Sequence, residues 1–165
     1  MAGQAGPLVL STAPGEPGQT CVGLKDLRRP EAAAVISHCT FGLVRMASVQ
    51  SIPQGPAFAI SVQPLESWRE LWIFHLRGGS WAIDVVSPGF DSPEQGYVEF
   101  AGFVPGKSRL MIVREVKERG RYKRSFEELR LEDLTLVRQA SSPELLRDFA
   151  LWPNAQWRRE TLSLH

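Results

Sequence analysis

His75 and Asp84 are the two side chains whose types and spacing suit chemistry. Between them lies Gly78-Gly79, which reads as the tip of a two-residue hairpin. Around that tip His75 falls opposite Ala82. Asp84 sits one diagonal away on the same face, about 7–8 Å off between Cα atoms. A carboxylate so placed can orient an imidazole, as in a catalytic triad. No motif signposts the nucleophile, because Gly79-Ser80-Trp81 does not spell the G-x-S-x-G elbow. The plain alternative is a polar cross-strand pair. His75 and Asp84 are thus the catalytic candidates on the reading that the chain is an enzyme of unknown class with its site in loops.

The other reactive types form no pattern. His38 and His165 stand alone, with no H-x-x-x-H or H-E-x-x-H, so no metal is expected. Glycine-rich stretches lack the lysine and following helix of a phosphate loop, and no cofactor is expected. Lys117, Arg119, Arg121, Lys123 and Arg124 crowd around Gly120, which marks a hairpin turn, with Tyr122 among them. Glu115, Glu118, Glu127 and Glu128 flank that cluster and bring its local charge near zero, as in a solvated hairpin. Arg119, Arg121, Tyr122 and Lys123 remain binding candidates, as does Trp157 in Asn154-Ala155-Gln156-Trp157-Arg158. Trp72 and Trp81 read as core.

With 165 residues the chain is of single-domain size. Nineteen basic and 18 acidic residues leave a formal charge of +1, which supplies no long-range pull toward nucleic acid or anionic lipid. No run of about 18 apolar residues is available to span a membrane. Residues 1–19 are rich in glycine and proline and read as a mobile arm, with Leu8 to Leu10 able to add one edge strand. The arm has no basic n-region and no apolar h-region, so it is not a signal peptide. Cys21 and Cys39 permit one disulfide that favours a periplasmic or secreted setting if a leader is missing from this chain; otherwise the chain is cytoplasmic.

The elements that must position these side chains are strands. Phe58, Ile60 and Val62 alternate along 57–62, and Leu110 to Val113 is a continuous apolar run suited to burial on both faces. Residues 81–86 end at Ser87-Pro88-Gly89, and 97–104 run into Pro105-Gly106. Residues 68–76 fit both helix and strand spacing; their length and aromatic content favour a strand, as for 126–134. One helix is expected over 142–152, with Ser142 as its cap, Pro143 in the first turn, and Leu145, Leu146, Phe149 and Trp152 as its apolar stripe. Residues 158–164 suit a final strand.

The strands repeat. Four fall within residues 44–88 and four within 97–140, with Pro53 and Pro105 spaced by 52 residues, Trp72 and Phe126 by 54, and Pro88 and Pro143 by 55. The run Phe100-Ala101-Gly102-Phe103-Val104-Pro105-Gly106-Lys107-Ser108-Arg109-Leu110-Met111-Ile112-Val113 resembles the opening of a blade in the WD40-like, TolB-type propellers of bacteria. That family carries Ser-Pro-Asp-Gly at the turn. Here it is Val104-Pro105-Gly106, and Ile52-Pro53-Gln54-Gly55 in the first copy. The resemblance implies two four-stranded antiparallel blade-like sheets in an all-β domain over 20–165. Closed propellers use about 4–8 blades, so the chain is part of a larger propeller, a ring completed by self-association, or a two-sheet sandwich. The expected function is a non-catalytic module binding a protein or peptide at sheet edges and loops, with no nucleic-acid or membrane partner.

Overall fold

Alternation with a period of two runs through most of the sequence. The computed structural model, which describes residues 8–52, 57–89, 95–104 and 106–151, is accordingly mostly strand. Three strands, β1 (Leu8–Pro14), β2 (Thr20–Asp26) and β3 (Ile36–Thr40), form a separate antiparallel sheet in that order. The edge strand allowed at Leu8 to Leu10 forms and runs on through Pro14, with Leu8 to Pro14 paired to Asp26 to Thr20. Cys21 and Cys39 are directly opposed on β2 and β3 and form a disulfide.

The remaining strands are β4 (Leu43–Ser51), β5 (Ala57–Leu65), β6 (Trp68–Arg77), β7 (Ser80–Val86), β8 (Gln95–Phe103), β9 (Arg109–Glu118), β10 (Arg121–Arg130) and β11 (Leu136–Ala140). They were expected as two four-stranded sheets, and the structure corrects this. All eight belong to one sheet, and the described residues close no propeller ring. Each expected copy is nonetheless a four-stranded meander, β4 to β7 and β8 to β11. What joins them is a short parallel seam, Trp68 with Gly96 and Arg69 with Tyr97. Further along, β6 gives the same edge to β7, so β7 and β8 fork away from each other.

The sheet folds at this seam, and the inner faces of the two meanders close on one core: Ala59, Leu71, Ile73 and Val86 from the first, Val98, Phe100, Leu110, Ile112 and Leu129 from the second. On its outer face the first meander presents Phe58, Ile60, Val62, Trp72 and Phe74 to Leu10, Val22 and Leu24 of the three-stranded sheet. The outer face of the second meets Leu146 and Phe149 through Ala101, Val104, Met111, Val113 and Phe126. The result is four layers, and β5, β6 and β9 are buried on both faces. Trp72 packs with Phe58 and Ile60, whereas Phe126 lies on the face opposite Leu110 and Ile112.

The expected helix is broken. A 3-10 turn spans Pro143–Leu145, Leu146 is extended, and α1 spans Arg147–Leu151. Ser142 makes no side-chain cap; its hydroxyl instead donates to the Glu144 carboxylate. The break turns Leu145 outward while Leu146 and Phe149 stay buried. Trp152 and the strand expected at 158–164 lie outside the described residues. Among the described residues no helix is long and apolar enough to cross a membrane.

Candidate functional site: a cleft at the fork

Because β7 and β8 diverge, the inner face of the second meander is only half covered. The uncovered half floors an open cleft of about 630 Å³, walled by β7 and the Ser87-Pro88-Gly89 turn. Three consecutive residues of β7, Asp84, Val85 and Val86, line it. A strand presents consecutive residues to one space only along its edge.

The floor is polar where β9 and β10 cross it. Arg114 and Glu127 form a bidentate pair, with Nε to Oε2 at 2.8 Å and Nη2 to Oε1 at 3.2 Å. The remaining Arg114 nitrogen, Nη1, donates to the Ser87 carbonyl. This one guanidinium thus ties the exit of the first meander to the floor of the second, using the planar fork that suits arginine to such a clasp. A second tie crosses at the other end, where Arg77 Nε donates to the Glu132 carbonyl over 3.4 Å. Leu129, Leu134 and Leu136 line that end, and Val116, Glu118 and Lys123 line the far one.

His75 and Asp84 are brought together. The register around Gly78-Gly79 sets His75 opposite Ala82 and Ile73 opposite Asp84, and His75 Nε2 lies 2.6 Å from Asp84 Oδ2. Arg77 Nη2 donates to the same oxygen at 2.7 Å. Where the sequence suggested two polar face residues, the structure buries His75 completely, with Nδ1 unpartnered among the described residues. No hydroxyl or thiol among the described residues hydrogen-bonds the imidazole. Chemically, the arrangement fixes the Asp84 carboxylate at the cleft wall.

Arg119, Arg121, Tyr122 and Lys123 gather at the tip of the β9–β10 hairpin, in a shallow hollow that shares Glu118 and Lys123 with the cleft. Lys117 stands over the Tyr122 ring at 5.7 Å. Trp157 lies outside the described residues. The Cys21–Cys39 bridge is in the three-stranded sheet and contributes nothing to the cleft lining. Among the described residues no group of three His, Cys, Asp or Glu side chains is placed to hold a metal ion.

Sequence reasoning missed Arg114, Glu127 and Ser87. A signal existed. Arg114-Glu115 follows directly on the apolar run Leu110 to Val113, Glu127-Glu128 sits between Phe126 and Leu129, and charges in buried strands must pair. Glu115 and Glu128 serve the outer face of the second meander. Arg124 Nε donates to Glu115 Oε2 at 2.6 Å, and the Tyr97 hydroxyl donates to the same oxygen at 3.3 Å. Burial and the adjacent Glu115 charge raise the Tyr97 phenol well above its ordinary value. Arg69 Nη1 donates to Glu99 Oε1 at 2.5 Å nearby.

No family model, curated protein or solved structure matches the chain.

Proposed function

We propose that the protein is a non-catalytic interaction module that receives a segment of a protein or peptide partner in the cleft at the fork. The observation that carries this reading is the cleft itself: an open trough of about 630 Å³ with a strand edge for a wall and fixed charges for a floor. A site of that size with a few placed polar groups is the ordinary form of a binding pocket. The two meanders, each wired as four antiparallel strands, support the likeness to propeller blades, with the seam between β6 and β8 as a departure from separate blades.

The test is selection of random peptides displayed on phage against the immobilised chain. The winning peptide is then synthesised and titrated by fluorescence anisotropy. Gln139 is exposed and lines the cleft, so Gln139→Trp fills the trough without disturbing the core. At least a tenfold loss of affinity, about 1.4 kcal/mol, is expected. Selection that enriches no sequence, or a winner indifferent to Gln139→Trp, overturns the proposal.

A further inference from the structure

The wall of the cleft says how a ligand would be held. Gly78 and Gly79 have φ of 57° and 84°, the two positive angles of a type I′ turn. In such a hairpin Arg77 and Ser80 form the first hydrogen-bonded pair, and bonded pairs recur at every second residue. Ser80, Ala82, Asp84 and Val86 therefore turn their backbone groups toward β6. Trp81, Ile83 and Val85 turn theirs outward. β7 pairs with no strand but β6, and no other backbone bond to these three is found among the described residues. An edge of unpaired N–H and C=O groups is a template for an added strand.

The charge of the trough is graded along its length. Leu129, Leu134 and Leu136 make one end apolar, and Leu136 is half exposed. In the middle the Arg114–Glu127 pair is internally neutralised. At the other end the cleft opens onto the hairpin tip, where Arg119, Arg121 and Lys123 outnumber Glu118 and none of the three has an ion pair among the described residues.

Resting on the reading of the cleft as a peptide site, we infer that it takes an extended segment of a partner protein by strand addition to the free edge of β7. The segment is apolar where it crosses Leu134 and Leu136 and acidic where it meets Arg121 and Lys123. Backbone bonds to Ile83 and Val85 supply sequence-tolerant affinity, and the two ends of the trough fix direction. The basic lip attracts the acidic end and makes association salt-dependent.

The probe is a capped peptide of about eight residues, a usual strand length, alternating valine and threonine with two aspartates at one end. A lysine-ended version is the control. Amide exchange read by NMR should show Ile83 and Val85 protected on binding. Val85→Pro removes an outward N–H without breaking a bond to β6 and should weaken binding about tenfold, while Val85→Thr keeps the N–H and the affinity. The double variant Arg121→Glu with Lys123→Glu, whose side chains are exposed, should reverse the preference for the acidic peptide. Binding with Ile83 and Val85 unprotected overturns strand addition and leaves the interaction reading intact. Equal or better binding of the lysine-ended peptide overturns the acidic partner. Protection of Ile83 and Val85 that grows with protein concentration alone assigns the edge to a second copy and overturns the proposal. If neither probe binds while phage selection yields a cleft-directed peptide of other character, this inference fails alone; if selection also fails, both readings fall.

Discussion

The two meanders share their wiring and differ in what they bury. In the first, β5 and β6 are mostly apolar on both faces, with Ser61, Arg69 and His75 as buried polar intrusions and no buried carboxylate among the described residues. In the second, the central strands β9 and β10 carry Arg114, Glu115, Glu127 and Glu128 beside their apolar residues, and Glu115 and Glu128 are fully enclosed. The three-stranded sheet covers the outer face of the first. Among the described residues, one short helix and buried ion pairs serve the outer face of the second. The first meander is thus a structural middle layer that lends its edge strand β7 as the cleft wall, and the second supplies the charged floor. Identical topology does not assign identical work; the charged positions within it do.

The largest test of this contrast is whether the halves unfold together. Ile73 and Ile112 are fully buried in the same core, so cutting either to alanine should cost about 2–5 kcal/mol. Trp68, Trp72 and Trp81 all stand in the first meander, so with Trp152 and Trp157 replaced by phenylalanine the fluorescence reports that half, whereas amide exchange on β9 and β10 reports the other. One coincident urea transition by both probes is expected. Two transitions would make the meanders independent blades and dissolve the shared core as their link.

Next in size is the buried carboxylate that the first meander has no counterpart for. Glu115→Ala leaves Arg124 and the Tyr97 hydroxyl without their shared acceptor. Breaking a buried pair costs about 3–5 kcal/mol. Because the Arg124 side chain is about a third exposed and regains water, about 2–3 kcal/mol is expected by urea denaturation. A loss below about 0.5 kcal/mol would show that the second meander does not depend on its buried charge.

How far this contrast was legible varies by region. From β4 to β11 the strands stood out in the sequence because alternation and turn residues are local signals. The His75 register could be read as well, since two glycines at a hairpin tip leave one pairing. The single sheet could not, because it rests on a two-residue parallel seam between strands far apart in sequence. Of β1 to β3 only the edge strand at Leu8 to Leu10 stood out. Glycine and proline near Gly15 and Pro17 mask the rest of that sheet, and the burial of Val22 and Leu24 is decided by the outer face of β5 and β6. The cleft was invisible for the same reason. Arg114 and Ser87 meet only because β7 leaves the fold line before β8 does.

A smaller effect concerns how each outer face is covered. Glu128 on β10 contacts Asp148 on α1, with Arg109 bonded to Glu128 at 3.1 Å, Lys107 bonded to Asp148 at 3.1 Å, and Met111 and Arg138 opposite Glu128 in the flanking strands. Burial, then the Asp148 carboxyl, raises Glu128 above the ordinary carboxylate range. The hydrogen bond from Glu128, then Lys107, lowers Asp148. A raised carboxyl stabilises the fold fully below its unfolded value and loses that contribution as pH rises through the folded one. A lowered carboxyl does so above its unfolded value and loses it as pH falls. Docking of α1 is therefore firmest between the unfolded values of the two groups and weakens as pH moves out toward either folded value. Glu128→Gln keeps a donor for Asp148 at every pH. It should flatten the alkaline side of the urea-midpoint profile and leave the acid side in place. An unchanged alkaline slope would remove this pair from the helix contact.

The smallest expected effect lies in the turns. The β6–β7 hairpin of the first meander uses Gly78-Gly79, for which positive φ is free of strain. The β9–β10 hairpin of the second uses Arg119-Gly120, and Arg119 holds φ at 51° with a full side chain. A residue other than glycine pays about 1–2 kcal/mol in that region, and asparagine, which hydrogen-bonds locally there, fits the first position of this turn far better than arginine. Arg119→Asn should therefore stabilise the protein by about 0.5–1 kcal/mol, read as a higher urea midpoint at unchanged slope. Arg119 also lies on the basic lip of the proposed site, so the same substitution should lower affinity for an acid-ended peptide. Opposite movement of stability and affinity would show that the second meander tolerates strain where it binds. If stability is unchanged, the turn carries no such strain, and the contrast between the two hairpins reduces to charge.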